Sequence, residues 1–377
     1  MTSTRADDTA DEVKPWMAEA RAHQRAMPLP RLLGNGMDYP DAVELHSLAE
    51  QGVPWADAAE QLGDRNRDRA KRALTDGHTH TAHQWYLFAS ACYRAGQVPL
   101  ADTDTQKRRM YRKLIDTFGA AGRLATPRWE HVQIPFEGSA LAGWLLVPPN
   151  VIEPPPVVIV TGGFDGWREE YAKGAEQLLV RGLACLLVDG PGQGETRIFG
   201  KLHMGVNPAA AFSFVVDYLL ADPRVSDQIG MWGNSMGGYL AAATAAADPR
   251  IGACCVNGGT VRPVELPERY PRFVTKLQAL YGIDDPDEAM RAMDDATIGP
   301  TELERLRCPL LVLHGTPDQV FLVENARALY DAAASVDKTW REWPDGDHCI
   351  YNHTAEKHAI IGDWFTVKLR QHTPTHR

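Results

Sequence analysis

The chain has 377 residues, 44% of them apolar, and a formal net charge of −10, so it can bury a large core and argues against a nucleic-acid or anionic-membrane partner. Six cysteines without C-x-x-C spacing argue against both a disulfide framework and a zinc site. No apolar run approaches a membrane span, and Met1 to Glu12 is polar and acidic, unlike a signal peptide, so a cytoplasmic protein is expected.

Residues 1–14 read as a disordered tail. From about Trp16 to Leu124 helical periodicity runs without strand-like alternation, broken at Pro28-Leu29-Pro30, Gly34-Asn35-Gly36, Gly52-Val53-Pro54, Gly77 and Gly96-Gln97-Val98-Pro99. This predicts an all-α cap domain over 15–125, with about five helices. One of them crowds His80, His83, Trp85, Tyr86, Phe88 and Tyr93. Either they pack a core with solvated histidines, or the helix faces the active site and His83, Trp85 and Tyr86 touch substrate. His78, His80 and His83 fall at i, i+2 and i+5 and cannot share a helix face, so no metal is expected.

Thr126-Pro127-Arg128 marks the start of the second domain, 126–377. His131 to Phe136 and Leu141 to Val147 alternate around Glu137-Gly138-Ser139, predicting an antiparallel hairpin. Val157-Val158-Ile159-Val160 is an unbroken apolar run, the pattern of a strand buried on both faces. It leads to Thr161-Gly162-Gly163-Phe164-Asp165-Gly166, whose glycines let backbone approach a ligand. The N–H of Phe164 is a candidate oxyanion donor there, and Asp165 a candidate for orienting the loop or protonating a leaving group. Leu183 to Val188 predicts the next strand, followed by Asp189-Gly190-Pro191-Gly192-Gln193-Gly194-Glu195, which lacks the G-K-[ST] of a phosphate loop and reads as a structural turn. A helix is predicted over Asn207 to Leu220.

The next stretch, Ile229 to Tyr239, reads strand, turn, helix: an apolar run ends at Gly233 and an alanine-rich run begins after Gly238. Ser235 sits between them in Gly233-Asn234-Ser235-Met236-Gly237, the nucleophile-elbow pattern. Such a turn holds Oγ clear of the backbone and sets the Met236 N–H at a helix N-terminus, where it can donate to an oxyanion. The rival reading, serine as a plain N-cap, has to be weighed against partners downstream.

Ile251 to Val256 is another strand, and the charged, proline-broken stretch 260–306 reads as a lid-like insertion containing Glu265 and Glu268. Leu310 to His314 ends in Gly315-Thr316-Pro317-Asp318, and Thr339 to Trp343 in Pro344-Asp345-Gly346-Asp347-His348. The order Ser235, Asp318, His348, each just past a strand, is that of a nucleophile, an orienting acid and a base. Asp345 and Asp347 are rival acids, His353 and His358 rival bases, and Cys349 a rival nucleophile without an elbow. Alternating strands and helices predict an α/β fold with a mostly parallel sheet flanked by helices.

These motifs, together with Asn35-Gly36-Met37-Asp38-Tyr39 and Asp345-Gly346-Asp347-His348-Cys349, resemble the α/β-hydrolases, specifically the subgroup with an N-terminal helical domain that includes 2,6-dihydroxypseudooxynicotine hydrolase, the FrsA-like proteins and fungal polyketide-shortening hydrolases. The resemblance covers most of the chain from about Leu32. It implies a Ser235, Asp318, His348 triad, oxyanion donors at Phe164 and Met236, a helical roof over the pocket, a homodimer, and cleavage of carbon–carbon bonds beside a ketone or of esters. It also implies an extra pocket carboxylate, with Glu268 near its position. The expected activity is serine hydrolysis of a medium-sized aromatic or polyketide-like small molecule with no cofactor; acyl transfer from the same acyl-enzyme and a non-catalytic binding protein are the alternatives.

Overall fold

The computed structural model describes residues 15–164, 166–205 and 207–370; the tail expected over 1–14 and the candidate Asp165 lie outside the described residues. Among those described, six helices precede the first strand: α1 Pro15–Ala26, α2 Leu29–Gly34, α3 Tyr39–Glu50, α4 Trp55–Thr75, α5 Thr79–Gln97 and α6 Thr105–Leu124. The sixth is α2, which fills the prolines' apparent break. Proline in a helix's first turn forfeits only an N–H that has no partner there, so Pro30 opens the helix rather than ending it. Helices α4 to α6 pack side by side, with Gly63 of α4 giving way to the Tyr93 ring of α5.

Eight strands follow: β1 Glu130–Phe136, β2 Ser139–Leu146, β3 Val157–Thr161, β4 Ala184–Val188, β5 Ile229–Asn234, β6 Ile251–Asn257, β7 Leu310–Gly315 and β8 Lys338–Trp343. They form one sheet in the order β1-β2-β4-β3-β5-β6-β7-β8, with β1 and β2 antiparallel and β3 to β8 parallel. Strands β3, β4, β5 and β7 are buried along their whole length, which is why their sequences run apolar instead of alternating.

After the hairpin the helices are α7 Ala172–Leu179, α8 Gly194–Ile198, α9 Pro208–Leu220, α10 Met236–Ala247, α11 Glu265–Arg269, α12 Val274–Tyr281, α13 Pro286–Asp295, α14 Pro300–Leu303, α15 Val323–Ala332 and α16 Thr354–Arg370. One face of the sheet packs against α7 and α16 through Ala175, Leu178, Trp232, Ile361 and Phe365. The other packs against α9, α10 and α15 through Phe212, Val216, Leu240 and Leu329. None of the helices among the described residues is long and apolar enough to cross a membrane.

The topology places the site. Strand β3 has β4 on one side and β5 on the other, so the chain leaves the carboxyl ends of β3 and β5 in opposite directions and opens a crevice there. The loop after β3 and the turn after β5 both sit at that crevice.

Candidate active site

Ser235 is held at φ 59° and ψ −128°, a conformation a side chain rarely adopts. The neighbouring glycines allow it. A Cβ on Gly233 would collide with the carbonyl of Gly237, and one on Gly237 would lie 2.5 Å from the Gly162 oxygen. The β3 loop closes in from the other side: a Cβ on Gly163 would lie 2.6 Å from the Ser235 Cβ and 2.9 Å from its Oγ.

His348 Nε2 is 2.8 Å from Ser235 Oγ, and His348 Nδ1 is 2.8 Å from Asp318 Oδ2. The chain folds this way because two turns are locked. The Asp318 Oδ1 accepts the N–H groups of Val320 and Phe321, which fixes the carboxylate and leaves Oδ2 for the imidazole. His348 opens a 3-10 turn in which Cys349 and Ile350 both have positive φ, 57° and 58°. Two donors hold that turn at the Cys349 carbonyl: Lys357 Nζ at 2.7 Å and Asn257 Nδ2 at 3.3 Å.

Burial disfavours the His348 imidazolium, but the Asp318 carboxylate and the Cys349 sulfur together outweigh it and lift the ring's pKa above its ordinary 6.5. Burial likewise opposes the Asp318 anion, and the His348 ring and its hydrogen bond hold that carboxyl below the ordinary carboxylate value. His314, behind the pair, is kept neutral by burial, its Nε2 3.2 Å from the Phe321 carbonyl.

Among the described residues, neither the Phe164 N–H nor the Met236 N–H donates to a protein acceptor, so both are open to a ligand oxygen beside Ser235. The loop bearing Phe164 is fastened by a residue that sequence reading treated as part of a plain turn. Gln193 Nε2 donates to the Gly162 and Gly163 carbonyls at 2.6 and 3.0 Å, while its Oε1 accepts from Gly190 N–H and the Thr161 hydroxyl. Beneath lies a buried charge cluster. The fully buried Arg168 pairs with Asp189 at 2.6 Å and Glu169 at 3.1 Å, and also with Glu195.

A cavity of about 560 Å³, within the range of small-molecule sites, opens beside His348 between α1, the α11–α12 segment and the strand-end loops. Its walls are largely apolar, with Met27, Trp55, Tyr270, Phe273 and Tyr351 among them. A smaller cleft of about 70 Å³ reaches Ser235, Phe164 and His348, sharing Arg31, Phe273 and Tyr351 with the larger one.

Several expected substrate contacts are elsewhere. His83 bonds the Ala121 carbonyl at 2.9 Å and packs on Trp129; Tyr86 is buried against Ala70 and Ala121; Trp85 meets Phe88 edge to face, with Arg69 over its ring. These side chains of α5 lie in the seams with α4 and α6 and line neither the cavity nor the cleft. The helical segment instead reaches the cavity through α1, α2, Trp55 and Val98. Glu268 points to solvent in a two-pronged pair with Arg262, both contacts 2.6 Å, and lines neither cavity. The buried carboxylate of α11 is Glu265, bonded to the Thr260 hydroxyl and Asn325 Nδ2. A pocket carboxylate does exist in Glu170, which lines the cleft and accepts from Asn35 Nδ2 at 2.5 Å and the Tyr351 hydroxyl at 2.8 Å. No motif marks Glu170; the one signal was Asn35, which belongs to a motif.

The rival residues are occupied. Asp347 accepts the N–H groups of Tyr351 and Asn352, Asp345 pairs with His353 at 3.0 Å, and His358 packs on Trp232. Cys349 is buried, with its Sγ 3.7 Å from the Asn257 carbonyl and 3.6 Å from His348 Nε2, but it stands on no strand-to-helix elbow.

Comparison with known proteins agrees with this architecture. The prolyl oligopeptidase family model matches residues 171–372. The chain is 28% identical over 340 residues to a 2,6-dihydropseudooxynicotine hydrolase of Paenarthrobacter nicotinovorans, covering 89% of each chain. It is 30% identical over 342 residues to the hydrolyase poxO of Penicillium oxalicum, covering 76% of this chain and 78% of that one. The crystal structure of 2,6-dihydroxy-pseudo-oxynicotine hydrolase superposes with a TM-score of 0.82 at 25% identity, over 90% of this chain and 95% of that one.

Proposed function

The chain belongs to the prolyl oligopeptidase family and is an α/β-hydrolase enzyme, and from that premise we propose that it hydrolyses a ketone or ester carbonyl of a medium-sized aromatic or polyketide-like small molecule through an acyl-enzyme on Ser235. The observation that carries the reading is the unbroken path from Asp318 Oδ2 through His348 to Ser235 Oγ, both steps 2.8 Å, at the base of a largely apolar cavity.

In this scheme His348 Nε2 takes the Ser235 proton as Oγ attacks the carbonyl carbon, and Asp318 holds Nδ1–H and steadies the imidazolium. The carbonyl electron pair moves onto oxygen, which the Phe164 and Met236 N–H groups receive. Collapse of that intermediate expels the leaving group, and His348 returns the proton to it. Water activated by the same imidazole then attacks the acyl-enzyme, releasing a carboxylic acid and free Ser235. For an ester the leaving atom is oxygen. For a carbon–carbon bond the electron pair departs on carbon, so the substrate must carry a second carbonyl or a hydroxylated ring to spread that charge.

The similarity to a 2,6-dihydropseudooxynicotine hydrolase supports the ketone branch, and the acidic, span-free composition supports a cytoplasmic site of action. Incubation with matched aryl esters and aryl 1,3-diketones tests the reading. The expected products are a carboxylic acid with an alcohol or a ketone, formed by the wild type and not by Ser235→Ala. Equal product from both proteins, or none from either class, removes it.

A further inference from the structure

The protein carries a large negative charge, yet its cavity is lined by four cationic side chains, Arg25, Arg31, Arg272 and Lys276, against a single carboxylate, Asp347, among the described lining residues. That carboxylate is already engaged by the N–H groups of Tyr351 and Asn352. Two of the four are exposed: Arg25, in the last turn of α1, and Arg272, in the turn that leads into α12. Among the described residues neither has a carboxylate partner. Arg272 lies over the Tyr270 and Phe273 rings at 5.1 and 5.4 Å, which orders its stem and leaves the guanidinium at the opening. Arg31 lies deeper, lining both the cavity and the cleft over Ser235.

We infer that the substrate bears a carboxylate at the end remote from the reacting carbonyl, received at the mouth between Arg25 and Arg272. The carbonyl lies at Ser235, an apolar or aromatic middle lies against Met27, Trp55 and Phe273, and the anion meets the two arginines. Cations gathered on the lining of one largely apolar cavity repel each other, and an anionic ligand group relieves that repulsion. The inference rests on the hydrolase reading for the position of the carbonyl, but the charge preference is measured without turnover.

The test uses the Ser235→Ala protein and a series of ω-phenyl carboxylic acids of four to ten carbons, each against its neutral, isosteric primary amide, by titration calorimetry at low salt. The expected result is a carboxylate bound about tenfold more tightly than its amide, as two partly screened ion pairs provide. That preference shrinks with added salt and disappears in the same protein carrying Arg25→Gln and Arg272→Gln. A series in which no carboxylate binds more tightly than its amide overturns the inference, as does a preference that survives both substitutions. Labelling of the wild type by a fluorophosphonate reports separately on Ser235. A protein labelled there without charge preference loses only the anionic substrate, and an unlabelled protein with the preference loses only the hydrolase reading.

Discussion

Lys357 Nζ donates to the carbonyl oxygen of Cys349 at 2.7 Å from a side chain that is almost entirely buried. Burial pushes the ammonium down to about 8, so the group sits there at an electrostatic cost. What it holds is the left-handed turn, Cys349 and Ile350, that aims His348. Lys357→Met replaces a desolvated charge by an apolar side chain of similar size, so thermal stability is expected to hold or rise. Turnover should nonetheless fall by about 10- to 100-fold, because the turn loses its nearer donor and the imidazole its aim. Parallel melting and turnover measurements check this; a variant that loses stability while keeping its rate contradicts it.

Neutral His348 is the form that can take the serine proton. Burial lowers its pKa and Asp318 together with Cys349 raises it by more, so the acidic limb of kcat/KM is expected above pH 6.5, with activity growing as pH rises through it. The same shift contributes folding stability that is complete below about 6.5 and is lost as pH climbs through the folded value. In Asp318→Asn burial is opposed only by the neighbouring Cys349: the limb should move to lower pH, and kcat should drop by about 10⁴. A pH profile whose limb does not move places the orienting acid elsewhere.

Gly163 stands where a methyl group would lie 2.6 Å from the Ser235 Cβ and 2.9 Å from its Oγ. Gly163→Ala must displace the loop that presents the Phe164 N–H, at a cost of about 10²–10³ in kcat, the worth of one oxyanion donor. Binding of a neutral ground-state analogue should change far less. Equal losses in both would mean that the pocket, not the donor, is damaged.

Arg168 reaches the partly exposed Glu195, which also pairs with His131, and balances Asp189 and Glu169 where water does not reach. Arg168→Met leaves these carboxylates uncompensated, and urea unfolding should show a loss of about 3–5 kcal/mol. A loss under about 1 kcal/mol, the scale of a surface pair, would contradict the reading of this cluster as a buried, mutually compensating set of charges.

The sheet is legible in the sequence because its central strands are buried on both faces and therefore run apolar, as Val157 to Val160 does. The strand-end positions of Ser235 and Asp318 are legible for the same reason, since each follows the end of such a run, whereas His348 follows β8, a half-exposed strand of mixed polar and aromatic residues. Contacts made by side chains far apart in sequence are not. Nothing near Gln193 signals that its amide clasps the carbonyls of Gly162 and Gly163. Nor does local pattern separate Glu265 from Glu268, three residues apart on a five-residue helix, one buried and the other facing solvent. On α5 the aromatic crowding at His83, Trp85 and Tyr86 is what a packed seam and a substrate wall have in common; only the positions of α4 and α6 tell them apart.

The central claim is that Ser235 Oγ becomes the acyl carrier. Rapid quenching of the enzyme after mixing with 4-nitrophenyl hexanoate, followed by peptide mass measurement, tests it most directly. The predicted result is a hexanoyl increment on the peptide containing Ser235 that appears with a burst of nitrophenol, decays as turnover proceeds, and is missing in Ser235→Ala. Turnover of the ester with that peptide unmodified at every quench time, or with the increment on another residue, contradicts the account.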